Sequence, residues 1–118
     1  MSETAYKLVD AAEWRDATAA GSYAGSAVDR ADGYIHMSTA EQLAETARRH
    51  YAGRSDLLLV EVRLAELGPA LRWEASRGGA LFPHLYAPLP VSAAVGQRGL
   101  TVDAAGIMRF DDGKTGWP

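Results

Sequence analysis

Apolar and polar positions alternate between two periods along this chain. Tyr6 to Val9 is a short apolar run that predicts a strand. Asp10 follows at a helix N-cap position, with Glu13 in capping-box spacing, and Ala11 to Ala20 is a good helix former ended by Gly21. Residues 21–33 are rich in turn formers and predict a loop. Tyr34 to Ser38 alternates, predicting a strand with Ile35 and Met37 toward the core and Tyr34, His36 and Ser38 on the other face. Ser38 or Thr39 is then expected to cap a second helix, Ser38 to Glu41 having capping-box spacing. It runs to about Tyr51, with Leu43, Ala44 and Ala47 on one stripe and Gly53 ending it.

The second half predicts strands. Leu57 to Val62 is a buried strand that becomes half-exposed, and Leu71 to Glu74 is a short one. Ala75 to Ala80 predicts a flexible loop. Leu81 to Leu89, with Pro83, Pro88 and Pro90 in or beside it, is not expected to form a regular central strand. Val91 to Val95 and Ile107 to Phe110 are further strand candidates. Two helices early and five to seven strands indicate an α+β class. No repeat or linker interrupts the chain, so one domain is expected over residues 1–118, with a core of about 5–110 and a loop-like tail from 111.

Composition narrows the function. The 118 residues carry 12 Lys+Arg against 15 Asp+Glu, a net charge of −3, and 47% are hydrophobic. A disordered chain is excluded, and a polybasic grip on nucleic acid is not expected. No apolar run approaches the roughly 20 residues of a membrane span. Cysteine is absent, so no disulfide, thiolate nucleophile or zinc–cysteine site is available. Met1 to Thr4 shows no secretory pattern, and a cytoplasmic setting is expected.

Three segments combine apolar surroundings with groups fit for chemistry. In Asp32 to Thr39, His36 can donate at one ring nitrogen and accept at the other, which suits a sugar hydroxyl, and Ser38 is expected beside it. The plainer alternative is a satisfied structural histidine with a capping serine. In Arg72 to Gly79, Arg77 offers the bidentate chemistry of phosphate binding, and Gly78 and Gly79 let backbone approach a ligand; Trp73 and Glu74 adjoin them. Here the alternative is a solvated turn with Trp73 in the core and Glu74 paired to an Arg. In Leu81 to Leu89, alternation projects Phe82, His84 and Tyr86 together, like one wall of a pocket. A packed loop whose Tyr hydroxyl bonds to backbone is the alternative there. His36, His84 and Glu74 match no metal-binding spacing, and no metal is expected.

Taken together, Asp32 to Thr39 (DGYIHMST), Trp73-Glu74, Arg77-Gly78-Gly79 and Leu81 to Leu89 (LFPHLYAPL) resemble a small bacterial family, domain of unknown function 952, from Tyr6 to about Val95. That family is grouped by similarity with the ADP-ribosyltransferase-like fold. The resemblance implies a bent, split, mostly antiparallel sheet that forms a cleft for NAD. It implies that His36 bonds the adenosine ribose, with Ser38 or Thr39 near the nicotinamide ribose. Tyr86 would pack on nicotinamide with His84 beside it, and Arg77 would meet the pyrophosphate. The catalytic candidates are thus His36, His84 and Tyr86. The cofactor-binding candidates are Ser38, Thr39, Trp73, Glu74, Arg77, Gly78 and Gly79, with NAD as substrate.

One departure matters. Transferases of this fold place a Glu on a late strand, and after Tyr86 the chain has none; Glu74 comes too early in the order. An RNA 2′-phosphotransferase of related fold works without that Glu, but its order of Arg and His differs from the one here. The expectation is therefore an NAD- or ADP-ribose-handling domain, with transfer or glycohydrolysis as its chemistry. The alternatives are a non-catalytic nucleotide or metabolite binding module, a metal-assisted hydrolase using His36, His84 and Glu74, and a structural domain.

Overall fold

Among the described residues, nine strands and three α-helices fold in the order β1 (Thr4–Asp10), α1 (Ala11–Ala20), β2 (Ser22–Tyr23), α2 (Ala27–Asp32), β3 (Ile35–His36), α3 (Ala40–His50), β4 (Leu57–Arg63), β5 (Leu71–Ala75), β6 (Leu81–Leu85), β7 (Leu89–Pro90), β8 (Ala94–Val102) and β9 (Met108–Phe110). The structure is a computed structural model that describes residues 3–114, without the side chain of Arg77. The last four residues of the tail expected to be loop, 115–118, lie outside the described residues, as does the start of the segment read for a secretory signal. The architecture is α+β with every strand pair antiparallel.

Three sheets form: β1-β4-β8-β9, β3-β6-β5 and β2-β7. The first two meet at one backbone bridge, where Tyr6 N–H donates to Ser38 O at 2.8 Å and Ser38 N–H to Tyr6 O at 2.9 Å. Both faces of the four-stranded sheet are covered. Tyr6, Leu8, Leu57, Leu59 and Leu100 pack with Leu43 and Ala47 of α3 on one side. Ala5, Val9, Val60 and Val62 pack on the other with Trp14, Tyr23, Ile35, Met37 and Leu85. This explains the unbroken apolar run of β4, since a strand buried on both faces has no polar face to alternate with.

The helices follow the sequence with four corrections. Asp10 accepts from Glu13 N–H at 3.1 Å, and Gly21 closes α1 at φ 92°. On α3 the cap is Thr39, boxed with Gln42, because the Ser38 backbone is spent on the bridge to Tyr6. The helix closes on Tyr51, and Gly53 instead donates to Val102 and Asp103 carbonyls. Ala44 is exposed, so the buried stripe is Leu43 and Ala47, spaced i, i+4. The loop expected over 21–33 contains a third helix, α2, started by a capping box between Ser26 and Asp29.

Two strand expectations also change. Leu81–Leu85 is a regular strand, central in its sheet, despite Pro83. Pro83 O accepts from Met37 N–H, so the edge lacking an N–H faces the side where β3 has already ended. The expected strand Val91–Val95 is a 3₁₀ turn over Val91–Ala93, followed by β8, which runs on through Gly96 and Gly99 to Val102.

Leu43 is 1% exposed and anchors α3 to the sheet. Leu43→Ala is expected to cost about 3 kcal/mol, read as a lowered urea midpoint.

Candidate functional site

The β3-β6-β5 register collects the polar side chains. His36 lies opposite His84, His84 opposite Arg72, and Phe82 opposite Glu74. Directly opposed residues of paired strands share a face, so the two imidazoles, Arg72 and Glu74 stand together. Tyr34, just before β3, stacks on His84 with ring centroids 4.2 Å apart and lies 5.1 Å from Tyr86 and 4.6 Å from His36. The two imidazoles meet edge to face at 5.6 Å.

Each imidazole is oriented by a carboxylate through Nδ1. His84 Nδ1 lies 2.8 Å from Glu74 Oε1, and the same oxygen accepts from Tyr86 OH at 2.7 Å. The hydrogen bonds from Tyr86 and His84 hold the Glu74 carboxyl below its ordinary value, and the Glu74 bond raises the Tyr86 phenol. Arg72 lies over the Tyr86 ring at 4.9 Å. His84 is buried, and among the described residues its Nε2 has no hydrogen-bond partner.

His36 sits between two carboxylates of α2, with Nδ1 2.6 Å from Asp29 Oδ1 and Nε2 2.9 Å from Asp32 Oδ2. Both bonds are donated by the ring only when both nitrogens carry hydrogens. Asp29 is 2% exposed and also accepts from the His36 and Ser26 backbone N–H groups, while Lys7 Nζ lies 3.1 Å from its Oδ2. Burial alone would raise the Asp29 carboxyl. The His36 hydrogen bond, the Lys7 charge and the two backbone donors outweigh it and hold the group far below the ordinary carboxylate range. Burial pushes the Lys7 ammonium down against the pull of Asp29.

Beside this cluster lies an open hollow of about 280 Å³, edged by Tyr34, Tyr86, Asp29, Arg30 and Pro88. Gly25 closes over Asp29 at φ 103°, and a Cβ there would stand 2.8 Å from Asp29 Cβ.

The structure thus brings His36, His84, Tyr86 and Glu74 together. Phe82 shares their face, as the alternation of its segment predicts. Other sequence candidates lie elsewhere. Ser38 does not share a site with His36: its hydroxyl bonds Thr46 on α3 at 2.8 Å, because the chain turns into the bridge with Tyr6 instead of continuing β3. Thr39 is spent as the α3 cap. Trp73 faces the opposite side of β5 and packs on the core. Gly78 and Gly79 turn the β5–β6 hairpin at its tip with positive φ, and the Arg77 side chain lies outside the described residues. Sequence reasoning missed Lys7 and Asp29 as site residues and noted Asp32, Tyr34 and Arg72 only within candidate segments, without a committed role. The Ser26–Asp29 box was the one local signal for the acids. Among the described residues no group of three or more His, Cys, Asp or Glu is arranged to hold a metal ion. No helix among them is long and apolar enough to cross a membrane.

The depressed Asp29 carboxyl fixes a pH dependence. A group with a lowered folded pKa contributes stability above its unfolded value, near 4, and loses it as pH falls through the folded value. Asp29→Asn leaves Lys7 buried without its counter-charge and is expected to cost about 3 kcal/mol at pH 7. The difference from the unaltered protein should shrink at pH 3, as urea unfolding at both pH values will read.

Comparison with known proteins agrees with the fold. The crystal structure of protein CC0527 from Caulobacter crescentus is 50% identical, with 89% of this chain and 92% of that one covered at a TM-score of 0.84. The solution NMR structure of CC0527 is 49% identical over 90% and 91%, at 0.77. No curated protein matches. Residues 8–97, most of the chain, match the family described as protein of unknown function DUF952, and the chain belongs to that family.

Proposed function

We propose that the hollow edged by Tyr34, Tyr86, Asp29 and Arg30 binds a nucleotide of the NAD or ADP-ribose class, with His36, His84 and Glu74 in the polar cluster beside it. The observation that carries this reading is the meeting of His36 from the first third of the chain with His84, Tyr86 and Glu74 around one aromatic cluster. Aromatic faces suit a planar base, and oriented imidazoles and carboxylates suit ribose hydroxyls. At about 280 Å³ the hollow is at the small end of ligand pockets, so it takes one ring with its ribose while the rest of a dinucleotide lies outside.

We further propose a chemistry of the ADP-ribosyltransferase-like kind for this cluster. Glu74, early in sequence order, is the carboxylate that meets His84 and Tyr86. Its Oε1 is pinned by His84 and Tyr86, which leaves Oε2 to face positive charge. When nicotinamide leaves NAD, the ribose develops oxocarbenium character, and a fixed carboxylate stabilises that charge. Arg72 stands on the same side and supplies a cation for phosphate oxygens.

A second reading, a binding module without turnover, is favoured by one observation. Both Nδ1 atoms and Glu74 Oε1 are already spent on internal hydrogen bonds, and Tyr34 covers His84.

Calorimetric titration with NAD, ADP-ribose and AMP tests the reading. Binding in the micromolar to millimolar range is expected, lost in Tyr34→Ala. No heat from any of the three overturns it. Chromatography of long incubations with NAD separates the two versions. Nicotinamide release that falls roughly 100-fold in Glu74→Gln, with binding retained, marks catalysis. Binding without release marks the module.

A further inference from the structure

Lys7 is a buried lysine that the proposed chemistry does not use. It projects from the middle of β1 on the same face as Ala5 and Val9, under the core that carries Ile35 and Met37. It is 4% exposed, and its ammonium lies 3.1 Å and 3.3 Å from the two oxygens of Asp29. A buried ion pair is a poor source of stability, because desolvation offsets most of the attraction and an apolar side chain of similar volume does as well. What Lys7 reaches is more informative: the carboxylate that orients His36, whose other nitrogen meets Asp32.

We propose that Lys7 is a positioning residue that tunes His36 through Asp29, offsetting one of the two carboxylates around the imidazole so that the ring can release a proton in use. This deepens the reading of the site as a binding cleft and rests on it. Asp29 and Asp32 together carry two negative charges against the ring. With Lys7 present, an imidazolium at His36 makes the group of four neutral. Without Lys7 the same group carries −1 with the ring protonated and −2 without, so the proton is held more tightly. Asp29 also fixes the tautomer, since its oxygen takes the Nδ1 hydrogen and leaves Nε2, at the more exposed end, as the nitrogen that gives up or accepts a proton.

The charged and titratable groups facing His36 come from several elements. Asp29 and Asp32 come from α2, Lys7 from β1, His84 from β6, Glu74 from β5 by way of His84, and the Tyr34 phenol from the segment before β3. Glu13 of α1 adds to the field at Lys7. Of these only Lys7 is a cation paired directly to a carboxylate that touches the His36 ring.

Proton and carbon NMR titration of the full chain tests this. In Lys7→Met, which keeps the apolar stem, the His36 titration midpoint is expected to rise by about one pH unit. A midpoint that is unchanged or lower overturns the proposal, since a purely structural Lys7 would not move it. Should Lys7→Met not fold, the unaltered protein decides: the Lys7 Cε resonance is expected to inflect at the His36 midpoint, and a flat trace there overturns the proposal. NAD titrations across pH keep the two readings apart. A binding profile that shifts with the His36 midpoint supports both. Absence of NAD binding at every pH overturns the nucleotide reading alone, leaving the His36 shift to decide the role of Lys7.

Discussion

The structure depends on one buried carboxylate. Asp29 is almost fully out of water, which for an isolated charge would be prohibitive. It is tolerated because its oxygens take donors from three directions: Ser26 at the start of α2, Lys7 of β1, and both the backbone and the ring of His36 on β3. A six-residue helix has little stability of its own. Here it is fixed because Asp29 ties it simultaneously to the four-stranded sheet and to the three-stranded one. The same bonds orient His36. The packing of α2 and the geometry of the site therefore cannot be varied independently. Gly25 belongs to this arrangement, because its left-handed backbone lets the loop before α2 close directly onto Asp29 with no Cβ in the way.

Much of the fold was legible because its signals are local. Asp10 and Gly21 bound α1 through contacts within four residues, and β4 announced its double burial by an unbroken apolar run. What escaped reading were features decided at a distance. The Ser26–Asp29 box lies in a segment crowded with turn formers, and its N3 residue is Asp where Glu or Gln is the usual signal. Pro83 looked incompatible with a central strand, yet proline excludes only a ladder bond, and the neighbouring strand has ended where that bond would fall. In β8, Gly96 and Gly99 concealed a nine-residue strand whose place is set by pairing with β4 and β9.

The candidate site divides along the same line. Alternation was enough to bring His36 and His84 to one face, because each lies on a true strand and the register does the rest. It misassigned Ser38, since the alternating pattern continues in sequence for two residues after the pairing with β6 has stopped. Lys7 and Asp29 were invisible as site residues, and Asp32 showed only as the first residue of a candidate segment. Lys7 sits in an apolar run and reads as an ordinary strand residue, and both acids fall in the stretch expected to be loop. Glu74, read as too early in the order to serve as the late-strand Glu, is brought to His84 by the β5–β6 hairpin. Sequence order is a weak guide where a hairpin reverses the chain.

Tyr34 governs what this arrangement can do. It is stacked on the buried His84, close to His36 and Tyr86, and it also forms part of the wall of the hollow. A ligand in the hollow meets the rings of Tyr34 and Tyr86 and the edge of Asp29 before it meets either imidazole. With Tyr34 in place, the accessible chemistry is stacking and hydrogen bonding at the rim, which suffices for recognition. For a ligand ring to stack on His84, Tyr34 has to slide or rotate off the imidazole face. That motion gives up one aromatic contact, of the order of 1 kcal/mol, a cost that a stacked ligand ring replacing Tyr34 can return. Binding and exposure of the imidazole are in this way linked by a single side chain that no hydrogen bond to another side chain, among the described residues, holds in position.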